Sequence, residues 1–338
     1  MNIIAEEKVS LEKYNTFRIA VNADRFYKLT AASQLTELYN QQVFKSKFLV
    51  TGAGSNILYT KDFDGSIIKN EIQGISYRIA QQAVYVTAGA GIVWNDFVWY
   101  CINEGFSGIE NMALIPGTVG ASPIQNIGAY GTELMDIFDH CIAFNTVTGA
   151  FERFENADCA FSYRDSIFKT TYKGQYIITE VTFKLATNAA VNTSYGAIQQ
   201  ELVARGIERP TPKDVAEVVS SIRVNKLPDP STIGNAGSFF KNPLISQAQF
   251  ETLIQEFPQV IHYPMADGAQ KIAAGWLIEQ CGWKGKSLGP AGVWPNQALV
   301  LVNLNHATGS DIWNLSAQII SDVAAKFNIE LEREVNIF

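Results

Sequence analysis

The chain has 338 residues, 47% of them hydrophobic and 17% charged, with a mean hydropathy of +0.02 and a net charge of −7. This is a globular composition with room for two or three structural units, and its acidic balance argues against binding nucleic acid by phosphate neutralisation. Cys101, Cys141, Cys159 and Cys281 lack metal or redox spacing, His140, His262 and His306 are scattered, and neither a membrane-length apolar run nor a signal peptide is present, so a cytoplasmic protein with no metal and no membrane partner is expected.

In chain order, Leu35, Leu38, Tyr39 and Val43 form a helical stripe with Ser33 as its cap. Lys47–Thr51 reads as a strand running into a glycine turn, followed by strands at Ser66–Lys69 and Ala83–Ala88. Val93, Phe97 and Cys101 predict a helix ended by Gly105. Strands follow at Cys141–Asn145, Phe151–Phe154 and Tyr176–Leu185, the first two joined by a hairpin at Thr148-Gly149. Asn188–Arg209 is polar and weakly patterned, an excursion or linker. Thr211-Pro212-Lys213-Asp214 carries a cap, an N1 proline and an acidic N3 residue, with Val215, Val218, Val219 and Ile222 as the buried face of the helix it starts. Further helices are expected around Phe250, Leu253, Ile254 and Phe257, and from Ile312 through Leu315, Ile319, Ile320 and Val323 to Phe327. Ala298–Val302 reads as a strand, and Glu330–Phe338 as a short final one. The mixture lacks a strict βαβ rhythm, so the class is α+β.

Three glycine-rich stretches stand out. They are Thr51-Gly52-Ala53-Gly54-Ser55-Asn56, Ala88-Gly89-Ala90-Gly91-Ile92-Val93-Trp94, and the run from Ile115 to Gly131, which reads IPGTVGASPIQNIGAYG. Glycine lets backbone N–H groups converge on a pyrophosphate without a Cβ clash. Each short stretch alone also fits an ordinary turn between strands, and the second fails the Rossmann pattern because Trp94 stands where its third glycine belongs. In the third, the side-chain amides of Gln125 and Asn126 could match the polar edge of a flavin.

That third run resembles the flavin-binding signature of the UDP-N-acetylenolpyruvoylglucosamine reductases. Around it, in family order, stand Asn15-Thr16-Phe17-Arg18-Ile19, GAGSN at 52–56, Ser162-Tyr163-Arg164-Asp165-Ser166, Arg223-x-x-Lys226-Leu227-Pro228-Asp229-Pro230, Asn235-Ala236-Gly237-Ser238-Phe239-Phe240-Lys241-Asn242-Pro243 and Leu331-Glu332-x-Glu334-Val335. The resemblance implies an FAD-binding fold of the vanillyl-alcohol-oxidase (PCMH) type over 1–187, made of two α/β subdomains at about 1–70 and 71–187. A substrate-covering loop at 188–210 would come next, then a C-terminal α+β substrate domain over 211–338 whose last strand returns toward the active site. Pro290, where the family usually has a second glycine, and Gln297, where a histidine is common, depart from the pattern.

The resemblance also implies the reaction: NADPH, through non-covalently bound FAD, reduces the enolpyruvyl group of a UDP-N-acetylglucosamine ether to give UDP-N-acetylmuramate. Hydride is added at C3 and a proton at C2, so charge develops on C2 and the carboxylate. Arg164, Glu334 and Ser238 are the implied catalytic residues. Gly52, Ala53, Gly54, Ser55, Asn56, Gly117, Thr118, Gly120, Ala121, Ser122, Pro123, Gln125, Asn126, Gly128, Ala129 and Tyr130 are implied at the flavin. Tyr163, Tyr195 (the tyrosine of the covering loop), Lys226, Asn242, Tyr263, Lys284 and Gln297 are implied at the substrate. A monomer is expected. Another FAD oxidase or dehydrogenase of this fold, or an inactive nucleotide-sugar-binding relative, is the alternative.

Overall fold

The computed structural model describes residues 3–81, 83–187, 190–265 and 267–338. The chain divides into two compact units. The first comprises Met1–Val9, Ala23–Ala53 and Asp64–Val224, and the second Ser10–Asn22, Gly54–Phe63 and Asn225–Phe338. The α-helices among the described residues are α1 (Gln34–Asn40), α2 (Trp94–Asn103), α3 (Gly196–Ala204), α4 (Pro212–Lys226), α5 (Gln247–Glu256), α6 (Ala274–Gln280) and α7 (Gly309–Phe327). None is long and apolar enough to cross a membrane.

The first unit contains two main sheets. One orders its strands Glu6–Ser10, Asn22–Leu29, Phe63–Asn70, Phe48–Thr51, the last pair parallel. The other orders Phe151–Glu155, Phe138–Asn145, Tyr176–Ala186, Ala83–Gly89, Ile75–Ala80, all antiparallel. The Thr148-Gly149 hairpin is present, with Phe144 paired to Phe151 and Gly149 N donating to Asn145 O. Alternation along Ala83–Gly89 buries Val84, Val86 and Ala88, the period expected of a strand with one covered face. Helix α2 lays Trp94 and Phe97 on Phe183, with ring centroids 5.8 and 4.7 Å apart, and ends before Gly105, whose φ of 82° suits glycine.

Two local expectations change here. Ser33 is itself helical and makes no side-chain capping bond. Gln34 Oε1 instead ties down the preceding turn, accepting from the amides of Thr30 and Ala31. The polar excursion contains α3, held by buried Ile198 and Leu202, two apolar residues four apart that polar neighbours obscure. Its expected start, Asn188, lies outside the described residues.

Helix α4 starts at the capping box that the sequence spells. Thr211 N donates to Asp214 Oδ2 at 2.8 Å and Asp214 N to Thr211 Oγ1 at 3.2 Å; the Thr211 hydroxyl, donating to the same Oδ2 at 2.6 Å, and then the Thr211 N bond hold the Asp214 carboxyl below its usual range. Its buried Val215, Val218, Val219 and Ile222 join the core that also holds Trp94 and Phe183. The compact division falls after Val224.

The second unit has a sheet ordered Gly234–Ser238, Val300–Asn303, Ala291–Val293, Ser287–Leu288, and a smaller one ordered Leu244–Ile245, Gln270–Ile272, His262–Pro264. Capping boxes start α5 (Ser246 with Gln249) and α7 (Thr308 with Asp311). Segments 10–22 and 54–63 belong to this unit although they are remote from it in sequence. Buried Asn15 ties its own loop together through Leu11 O, Ile19 O and Ile19 N. Asn235 N then donates to Thr16 O, and Asn303 Nδ2 to Phe17 O at 2.9 Å. Of the expected C-terminal strand, only Asn336–Ile337 is regular, paired in parallel with Ile57–Leu58.

Candidate functional site

The candidate residues form two groups, one in each unit. In the first unit the glycine-rich stretches are zipped together. Val119 N donates to Ile92 O and Gly120 N to Ala90 O, both at 2.9 Å, and Trp94 N donates to Gly117 O at 3.0 Å. A Cβ on Gly120 would strike Ala90, and one on Gly52 would strike the Thr118 hydroxyl. The missing Cβ atoms thus let Gly120 pack on Ala90 and Gly52 on the Thr118 side chain. Gly89 and Gly91 are spent on packing, each lying against backbone at 71–73. The Lys69 ammonium donates to Gly52 O at 2.7 Å, and burial lowers its pKa. Lys69 anchors the first loop, a role that its place at the end of a strand did not announce.

Asn126 is fully buried, with φ of 44°. Its Nδ2 donates to Glu133 Oε2 at 2.8 Å and to Ser162 O at 3.0 Å, and its Oδ1 accepts from Met135 N at 3.0 Å. Both amide protons are thereby used. These bonds give the side chain a clamping role. It fastens the third glycine stretch to the turn that carries Arg164.

That turn is tight. Ser162 and Asp165 exchange backbone hydrogen bonds, and Arg164 has φ of 56°. Ser166 Oγ donates to Ile124 O at 2.7 Å, Lys169 Nζ to Arg164 O at 3.1 Å, and Arg164 Nη2 to Gly128 O at 2.8 Å. Its guanidinium lies 5.6 Å from the Tyr163 ring centroid. Nearby, the rings of Tyr130 and Tyr195 meet edge to face at 5.1 Å. Asn111 Nδ2 bonds both Tyr130 O and Asn192 O, so the segment leading to Tyr195 is tied to the third glycine stretch. Tyr195 is 41% exposed, leaving surface for a ligand to cover.

In the second unit Ser238 ends a strand with a register shift, after Gly237 at φ of 68°. Buried Asn235 locks this bulge, its Oδ1 accepting from Gly237 N and its Nδ2 donating to Pro228 O and Ile233 O. Buried Phe239 and Phe240 anchor the next two positions, leaving Ser238 exposed. Glu334 is brought alongside, since its N donates to Phe239 O at 2.8 Å. Asn56 Nδ2 reaches Glu334 O at 3.3 Å. Arg333 turns to Trp313 and Ser316. Ser238, Glu334 and Asn56 thus gather from three distant parts of the chain.

The substrate candidates of this unit are more scattered. Asn242 Oδ1 accepts from Ala274 N at the start of α6, Lys284 pairs with Glu279 at 2.9 Å, and Gln297 Oε1 accepts from Leu299 N. Lys226 is exposed, and Tyr263 lies on the smaller sheet beside Lys271. Pro290 stands in a turn and its carbonyl accepts from Leu304 N. Elsewhere in the first unit, the ligand atoms of Asp139, His140 and Glu155 lie within 4.8 Å of one another, but Glu155 is paired with Arg153.

Residues 229–338 match the family model for the UDP-N-acetylenolpyruvoylglucosamine reductase C-terminal domain, and residues 30–151 the model for an FAD binding domain. The chain is 49% identical to UDP-N-acetylenolpyruvoylglucosamine reductase of Burkholderia cenocepacia (strain HI2424), over 96% of this chain and 94% of that protein. It is 46% identical to the enzyme of that name from Flavobacterium johnsoniae, over 98% and 99%. In fold it is similar to the crystal structure of that reductase from Thermus caldophilus, with a TM-score of 0.69 at 22% identity over 99% of each chain. A solvent-stable cholesterol oxidase aligns with a TM-score of 0.53 at 14% identity, over 98% of this chain and 87% of that one. The fold therefore serves different chemistries, and the choice among them rests on the site.

Proposed function

Because the chain belongs to the UDP-N-acetylenolpyruvoylglucosamine reductase family, we propose that Arg164, Ser238 and Glu334 carry that family's reaction here. The protein is an FAD-dependent oxidoreductase of peptidoglycan precursor synthesis that acts on a nucleotide sugar and consumes NADPH. Bound FAD supplies the hydride. The loops at 52–56 and 117–130, with Gln125, would hold it. Arg164, positioned by its turn, takes the substrate carboxylate and offsets the charge that develops there. Ser238 delivers the proton to C2 from its exposed place on the bulge. Glu334 orients Arg164 or a water, or donates a hydrogen bond when protonated. Tyr163, Lys226, Lys284, Asn242, Tyr263 and Gln297 bind the nucleotide sugar, and Tyr195 covers it. The protein works as a cytoplasmic monomer.

The observation that carries this reading is the locked bulge that presents Ser238 beside the Glu334 backbone. The purified protein is expected to be yellow and to release its flavin on acid precipitation. It should oxidise NADPH only when the enolpyruvyl substrate is added. NADPH oxidation indifferent to that substrate sinks the proposal.

Tyr195→Phe is expected to weaken substrate binding without lowering flavin content, because a residue that closes over a ligand positions it rather than reacting. Titration of the bound flavin spectrum with substrate measures this. Loss of flavin would instead make Tyr195 part of the cofactor fold.

A further inference from the structure

Arg223 on α4 is partly buried, and its Nε donates to Leu114 O at 3.2 Å. Its guanidinium also interacts with the Tyr130 hydroxyl; burial lowers its pKa, Tyr130 opposes that, and neighbouring Arg164 adds to it. Both residues that it touches have left-handed backbones, with φ of 59° at Leu114 and 49° at Tyr130. Side-chain-bearing residues hold that conformation only where their surroundings fix it. Asn95 Oδ1 accepts from Leu114 N at 2.7 Å, and Asn111 Nδ2 donates to Tyr130 O at 3.0 Å. The edge-to-face contact of Tyr130 with Tyr195 completes the chain.

We propose that Arg223 is a positioning residue for the substrate-covering tyrosine: bridging Leu114 O and the Tyr130 hydroxyl, it fixes the ring on which Tyr195 seats. The proposal rests on the covering role given to Tyr195. A planar guanidinium donates in two fixed directions at once, which a lysine ammonium on a flexible stem does not reproduce. A second cation beside Arg164 is unfavourable, so these two directed contacts are what a guanidinium supplies here. Arg223 acts through Tyr130 and not on the reacting atoms. Its loss should therefore appear in substrate binding rather than in turnover.

The test is a double-mutant cycle on the FAD-loaded enzyme, with steady-state kinetics on the enolpyruvyl substrate. Arg223→Met is expected to raise KM by ~10-fold or more, the scale of a lost hydrogen bond to a charged group, while kcat falls by less than ~3-fold. Arg223→Lys should recover part of the loss. In a Tyr195→Ala background Arg223→Met should add less than ~2-fold, because residues acting through one contact are not additive. A full, additive effect in that background overturns the proposal, as does an unchanged KM in Arg223→Met. If Tyr195→Ala alone leaves KM unchanged, the covering role itself has failed, and the proposal with it. Should Arg223→Met fail to fold, Arg223→Lys is put through the same cycle with the same outcomes.

Discussion

Ser238→Ala is expected to leave reduction of the flavin by NADPH near normal and to slow its re-oxidation by the enolpyruvyl substrate ~10²–10⁴-fold, the range of a positioned proton donor. In the proposed reaction NADPH would reduce the flavin before substrate is engaged, and only the later step would make a basic carbon at C2 that needs an acid. The bulge should survive the substitution, because Asn235 and Gly237 hold it through contacts that do not use the Ser238 hydroxyl. Ser238→Cys should restore part of the rate, since a thiol is also an acid and nearly the right size. Rapid mixing separates the half-reactions. Equal slowing of both would assign Ser238 to the structure of the turn and remove it from the chemistry.

Asn126→Asp is expected to destabilise the first unit by roughly 3–5 kcal/mol near neutral pH, the cost of a buried polar network broken on one side. The change is nearly isosteric but removes both donors, so Ser162 O keeps only Asp165 N as a donor and a second carboxylate meets Glu133 where the amide donates at 2.8 Å. The like charge raises the folded-state pKa of the new carboxyl above its unfolded value. The penalty relative to the parent is therefore smallest below about pH 4, where the group is protonated in both states, grows as pH rises from there toward the raised folded-state pKa, and levels off above it. Urea unfolding across pH, together with flavin content, measures it. Parent-like stability at pH 7 would show that Asn126 is not the clamp that joins the glycine stretch to the Arg164 turn.

Sequence determined much of the local structure because its signals are local. The Thr211–Asp214 box, the Thr148-Gly149 hairpin and the glycine after α2 need only neighbouring residues, and each is present. Apolar periodicity likewise located α2, α4, α5 and α7. Length and continuity of motif order, from Asn15 to Val335, sufficed to identify the family, since several ordered motifs specify more than any one of them.

Tertiary structure decided what depends on partners far apart in the chain. Asn126 is recognisable as a clamp only once Glu133, Met135 and Ser162 are seen to bond its side chain. Arg223 and Lys69 gain meaning only from Leu114, Tyr130 and Gly52. Segments 10–22 and 54–63 leave their sequence neighbours for the second unit. Asn15, Gly234 and Asn303 pack and bond there, and a Cβ at Gly234 would strike Phe17 O. A hydrogen bond or close packing between residues a hundred or more positions apart leaves no period or spacing in a single sequence. The chain spells out its elements and motifs, and long-range packing decides which polar groups remain available to meet a substrate.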